Sequence, residues 1–230
     1  VKLSFADLQP RYPIDFQVAL VKKMGVEFEN ISPAVHISES AKGKAGRLLA
    51  ENGISQQDSF CIFLPGARVF DRWDAGKFAE LADFLFSQYQ LKILLTCGSG
   101  QEKLVEEIIK KIKKAPYGFI TARLQELGAV TERAKFVVCH NGGYMHFADA
   151  LGIPVIGMFG WANPYIWKPI GDRAIVIYKN LKCSPCNSKT IKQECLDGDP
   201  ECKRLITVKD VVSAIESIYP PIRKADHLHE

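Results

Sequence analysis

The sequence predicts an α/β fold, a mostly parallel sheet covered by helices on both faces. Three observations carry this. Short apolar runs rich in β-branched and aromatic residues alternate with amphipathic helical stretches, turns between them are rich in glycine, and the runs are apolar throughout, as in strands buried on both sides.

Taken in order, the first 52 residues carry the weakest signal. A short helical pattern over Ile14–Met24 ends at Gly25, and Lys42–Asn52 reads as a helix with Ala45, Leu48 and Leu49 inward and Gly53 as its cap. The regular alternation begins with a strand at Phe60–Leu64, the turn Pro65-Gly66-Ala67-Arg68 and a helix over Ala75–Tyr89. That helix has Phe78, Leu81, Ala82, Leu85 and Phe86 on one stripe. A second strand, Leu91–Thr96, leads through Gly98-Ser99-Gly100 into a helix over Gln101–Lys114. After Pro116 come an extended piece, Phe119–Thr121, and a helix over Arg123–Arg133.

The chain is organised around Lys135–Gly160. Phe136–Cys139 reads as a buried strand, Asn141-Gly142-Gly143 as a turn open to close approach, and Tyr144–Leu151 as a short helix with Met145, Ala148 and Leu151 on one face. Gly152-Ile153-Pro154 ends it, and Val155–Phe159 is a strand. Ala174–Ile177 is read as one more strand, and Val208–Tyr219 as a closing helix capped by Thr207. Ligands of such sheets bind beyond the carboxyl ends of the strands. The turns Pro65–Trp73, Cys97–Glu102 and His140–His146 are therefore expected to meet at one crevice. At Gly142-Gly143 a helix N-terminus would offer backbone N–H groups and a positive dipole end to an anion, phosphate above all.

Composition narrows the classes. Hydrophobic residues at 47% and charged residues at 24% fit an ordinary globular domain. The formal charge is +4, but basic residues are interspersed with acids, as in EKLVEEIIKKIKK, so nucleic-acid binding is not expected. No apolar run reaches the ~20 residues that span a bilayer, and no signal-peptide pattern opens the chain, so a cytoplasmic location is expected.

The block NGGYMHFADALGIPVIGMFG resembles the signature of glycosyltransferase family 9, the bacterial heptosyltransferases. FLPGARVFDRWDAGKFAELADFL, LLTCGSGQE and the cysteine-rich Lys182–Leu205 extend the likeness over roughly residues 55–219. The resemblance implies the C-terminal, Rossmann-like half of a GT-B fold. It divides the chain into an interdomain arm or linker over 1–54, a nucleotide-sugar-binding domain over 55–219 with its cysteine-rich tail at 183–202, and a terminal tail over 220–230.

It also implies a transferase that moves a heptose-like sugar from a nucleotide diphosphate sugar, ADP-sugar favoured, to a bacterial surface glycan such as the lipopolysaccharide core. No cofactor is implied. The first residue is Val1 and nothing resembles the family's N-terminal domain. A piece of a longer enzyme is therefore expected, with the catalytic base and the glycolipid or glycan acceptor on the missing domain, and with peripheral association at the inner face of the bacterial inner membrane. Two alternatives stay open: another GT-B enzyme such as a nucleotide-sugar epimerase, and a non-catalytic nucleotide-binding or scaffold domain.

The residues expected at the nucleotide sugar are Arg68, Arg72, Glu102, Asn141, Gly142, Gly143 and His146. The glycines offer backbone donors and the arginines cations, which together stabilise charge developing on a departing diphosphate. By resemblance Glu102 would bind ribose hydroxyls, and His146 would donate a hydrogen bond near the diphosphate. Without the resemblance, Glu102 favours a helix dipole, Arg72 is a surface residue, Trp73 packs a helix and His146 is structural. Tyr165 and Trp167 of WANPYIW could stack on a base or form the rim of the crevice. The family carries aspartate where this chain has Asn141, and several members carry lysine where it has Asp71. A carboxylate there is expected to reverse a favourable interaction with the diphosphate.

Cys61, Cys97 and Cys139 lie in or beside strands and read as small buried hydrophobes. Cys183, Cys186, Cys195 and Cys202 carry a CxxC spacing suited to structural Zn or Fe. Reduced thiols holding a compact loop, or disulfides, are the other readings.

Overall fold

The computed structural model describes residues 13–27, 32–186, 191–198 and 200–220. Apart from residue 220, the expected terminal tail lies outside them, as do parts of the expected arm. A six-stranded sheet runs in the order β3-β2-β1-β4-β5-β6, with every neighbouring pair parallel. The strands are β1 (Phe60–Leu64), β2 (Lys92–Thr96), β3 (Tyr117–Ile120), β4 (Val137–His140), β5 (Val155–Phe159) and β6 (Ala174–Tyr178).

The two-residue repeat of a strand divides its side chains between two cores. Cys61 and Phe63 of β1 join Ile93, Leu95, Val138, Ile156 and Met158 on one face. That face is covered by α3 (Ala75–Tyr89), α4 (Glu102–Ile109) and α10 (Val208–Ile218). Phe60 and Ile62 join Leu94, Val137, Cys139 and Val155 on the other. There the cover is α2 (Glu39–Glu51), α5 (Leu124–Thr131) and α6 (Gly143–Ala150). A helix α1 (Pro13–Lys23) precedes this layer.

Helix ends follow local chemistry. Asp74 caps α3 by accepting from the Lys77 N–H at 3.0 Å. Thr207 and Asp210 form a reciprocal capping box at α10. Gly53, at φ +74°, closes α2: its N–H reaches Ala50 O at 3.0 Å while Ile54 N–H reaches Leu49 O at 2.9 Å. Ala41, Ala45 and Leu49 of α2 are buried, and the helix packs on α5.

The structure corrects some boundaries. The helix expected over Gln101–Lys114 stops at Ile109. Asp83 of α3 gathers the N–H groups of Lys113, Lys114 and Ala115 at 2.7–3.2 Å, turning the chain toward β3. Four short helical segments were not read from the sequence: a 3-10 turn at Val69–Asp71, α7 (Pro164–Trp167), α8 (Gln193–Leu196) and α9 (Glu201–Arg204). Helices this short lack the repeated apolar stripe that identifies longer ones.

Candidate functional site

Chain order runs outward through β2 and β3 on one side of β1, and through β5 and β6 on the other side of β4. The crevice between β1 and β4 is thus the topological switch point, where such sheets receive ligands. The loops after these strands are bound to each other there.

His140, at the end of β4, is 2% exposed, and its Nε2 accepts the Trp73 N–H at 2.8 Å. An accepting Nε2 places the ring proton on Nδ1. Desolvation holds the imidazole well below its usual 6.5, with the Lys203 charge acting the same way, so the ring is neutral. Trp73 in turn donates its indole N–H to Ile206 O at 2.8 Å, which ties the β1 loop to the start of α10.

The loop after β2 joins through Gln101. Its Nε2 donates to Ala67 O at 3.3 Å, and Arg72 Nε donates to the same carbonyl at 3.1 Å. Gly66 permits this approach, because a Cβ there would collide with the Gln101 side-chain oxygen.

Gly142 and Gly143 open α6. Gly142 has an extended backbone, φ 171° and ψ 177°, and caps the helix without a side chain. A Cβ built at either glycine meets nothing within 4 Å, so the turn faces open space. Asn141 N–H donates to Met158 O at 3.2 Å, holding the turn to the end of β5.

Since β4 lies between β1 and β5, a contact between the loops after β1 and β5 passes by the end of β4. Arg68 and Trp161 make that contact. The guanidinium carbon stands 4.9 Å from the indole centroid and 6.0 Å from the Phe70 ring. Phe70 meets Trp161 edge-on at 5.9 Å.

Asp71 corrects an expectation. Its carboxylate is buried and forms an ion pair with Lys203 of α9, Nζ to Oδ1 3.0 Å, so it does not stand as a lone negative charge in the crevice. Lys203, 2% exposed, also donates to Met158 O at 2.9 Å. Two carbonyl-directed bonds, from Asn141 N–H and Lys203 Nζ, therefore meet on one oxygen.

The loops come together, but the expected side chains take separate positions. Arg72 lines a cleft of about 410 Å³ with Trp73, Leu104, Glu107 and Lys203. His146 lines another, of about 220 Å³, with Asp149, Trp167, Lys168 and Ile14. Desolvation lowers the His146 pKa below 6.5, opposed by Asp149. Glu102 lines neither of these clefts, and its Oε1 accepts the Gly100 N–H at 3.1 Å. Tyr165 and Trp167 are exposed.

The seven cysteines are free thiols. Cys61 and Cys139 are fully buried, and desolvation pushes Cys139 up to about 12. In the tail, Cys202 is buried beneath Gly160, where an added Cβ would lie 2.8 Å from its Sγ, while Cys183 is exposed. Among the described residues no three His, Cys, Asp or Glu side chains are disposed to hold a metal ion. Cys186, Cys195 and Cys202 lie near enough for their charges to act on one another, but the four thiols do not form a metal-holding set among the described residues.

The sequence reading missed His140, Gln101, Trp161 as the seat of Arg68, and Lys203. Of these His140 had a local signal, a histidine closing an apolar strand just before the glycine turn.

The sequence matches the model of glycosyltransferase family 9 (heptosyltransferase) over residues 14–197. A lipopolysaccharide heptosyltransferase 3 of Escherichia coli (strain K12) is 26% identical over 228 residues, covering 95% of this chain and 64% of the relative. The crystal structure of a family 9 glycosyl transferase from Veillonella parvula superposes with a TM-score of 0.75 at 22% identity, over 90% of this chain and 60% of the other. The E. coli ADP-heptose lps heptosyltransferase II structure gives 0.68 at 21% identity, over 85% and 56%. This chain spans less than two thirds of the length of each.

Proposed function

Because the chain belongs to glycosyltransferase family 9, we propose that it is the donor-binding half of a heptosyltransferase, holding an ADP-sugar for transfer to a bacterial surface glycan such as the lipopolysaccharide core. The observation that carries the reading is the open Gly142-Gly143 turn at the switch point, bracketed by the β1 loop and by Arg68 on its indole seat. Backbone N–H groups and a helix N-terminus favour a diphosphate there, and Arg68 adds a cation within reach of the same strand ends. Both act most strongly as the pyrophosphate leaves and its charge grows.

His146, one turn into α6, contributes a neutral imidazole from a cleft other than the one Arg72 lines. Asn141 holds the turn, and Arg72 and Glu102 shape the neighbouring β1 and β2 loops. The relative's printed name, a lipopolysaccharide heptosyltransferase, and the neighbour's, an ADP-heptose enzyme, favour ADP over other nucleotides. The acceptor hydroxyl would be activated by a carboxylate of a partner domain, at the cytoplasmic face of the inner membrane. Among the described residues no helix is long and apolar enough to cross a membrane.

Calorimetric titration with ADP, UDP and GDP tests the reading. Binding of ADP in preference to the others is expected, and Gly143→Val, whose side chain would occupy the open space, should weaken it at least about tenfold without unfolding the domain. An absence of heat with all three nucleotides would sink the proposal.

A further inference from the structure

The ion pair between Asp71 and Lys203 has a second cation beside it. Burial pushes the Asp71 carboxyl up; the charge of Lys203 opposes this most, followed by an interaction with the side chain of Trp161, on whose ring Arg68 rests, and last by the charge of Arg68 itself. One buried carboxylate thus pairs with Lys203 and also feels the charge of Arg68, two cations from distant parts of the chain. Lys203 is fixed: it is buried, reaches Asp71 at 3.0 Å and donates to Met158 O at 2.9 Å. Arg68 is exposed and rests on aromatic rings rather than in a carboxylate fork. An uncompensated carboxylate beside a guanidinium would capture it in a strong bidentate pair.

We propose that Lys203, delivered by the cysteine-bearing tail, is a positioning residue that neutralises Asp71 and so leaves Arg68 free for the anionic ligand of the crevice. The proposal rests on the donor-binding reading above. It assigns a role to α9 that the β1 loop alone cannot fill, since a chain with Asp71 and no Lys203 would turn its own arginine inward. It also accounts for the carboxylate at position 71: the crevice keeps a free cation because the tail brings in the neutralising lysine.

The two halves of the pair then have unequal effects on ligand affinity although both stabilise the fold. Lys203→Met should weaken ADP binding about tenfold or more, the effect expected for losing one charge-assisted bond. Asp71→Asn should leave affinity within about twofold of the parent, because Arg68 has no carboxylate to fall into. The double variant Asp71→Leu/Lys203→Met, which replaces a buried pair by apolar groups that the interior tolerates, should bind ADP within about threefold of the parent. Melting curves accompany each titration.

If the two single variants lose affinity together, or a folded Lys203→Met binds like the parent, the pair is only structural and the proposal is overturned. Should Lys203→Met fail to fold, the double variant decides, and weak binding by it overturns the proposal. A second measurement needs no nucleotide. In ¹⁵N-labelled protein the Trp161 indole and Arg68 Nε–Hε resonances should shift in Lys203→Met and return toward the parent in the double variant; unmoved resonances overturn the proposal. A parent protein that takes no ADP but shows these shifts would refute the donor-binding reading alone.

Discussion

At the scale of single residues, His140 and Trp73 hold the two halves of the sheet together at the crevice. The bond from Trp73 N–H to His140 Nε2 is buried, so His140→Phe should leave that N–H without a partner and lower stability by about 1–3 kcal/mol in chemical denaturation. The same histidine gives a pH signature. Its folded pKa lies well below 6.5, so as pH falls below about 6.5 the unfolded chain takes up a proton that the native ring refuses. Stability should therefore fall on acidification from that point, and the slope between about pH 6.5 and 5 should shrink in His140→Phe. Gly142 and Gly143 act by what they lack. Their backbones need no positive φ, and the space beyond them is where a ligand would lie.

At the scale of elements, termini decide where each helix and loop stands. Asp83 ends the segment after α4 by accepting from three successive N–H groups. Burial opposes its ionisation, but the N–H groups of Ala115, Lys114 and Lys113 prevail and hold it below 3.8. Asp83→Ala should cost about 1–3 kcal/mol, and the parent should lose that advantage as pH falls through the depressed value, whereas the variant should not. Urea titrations at pH 7 and pH 3 measure both. Thr207→Ala, which breaks the capping box of α10, should cost about 1 kcal/mol.

The element scale is also where reading from sequence did best. Five strands were legible as apolar runs, β3 (Tyr117–Ile120) only as an extended piece at Phe119–Thr121, and α3 was legible in full, because a repeat of 3.6 or 2 residues is a local property. The early end of α4 was not, because Asp83 lies thirty residues from Lys113 along the chain and leaves no mark in the KKIKK stretch that looks helical.

At the scale of the molecule, the sheet presents six parallel carboxyl ends to one rim, and the central strands β1 and β4 carry the loops that matter. A ligand bound across those loops should stabilise the whole domain by mass action. ADP at about 100 times its dissociation constant should add roughly 2.7 kcal/mol and raise the melting temperature by several degrees. At the same ADP concentration, Gly143→Val, binding about tenfold more weakly, should cut the shift to about half or less. In the core, Phe63→Ala should cost about 3–5 kcal/mol, since Phe63 is fully buried and packs against Phe78 at 5.7 Å.

By itself the sequence determined the alternation of strands and helices, the glycine turn at the head of α6 and the likeness to family 9, because each is written in residues close together along the chain. Tertiary structure alone decided which charges meet. Lys203 reaches Asp71, Arg68 rests on Trp161, and Cys202 packs beneath Gly160. Such pairings depend on where the sheet's order brings distant loops, and a side chain's spacing along the chain carries no information about the strand end it will face.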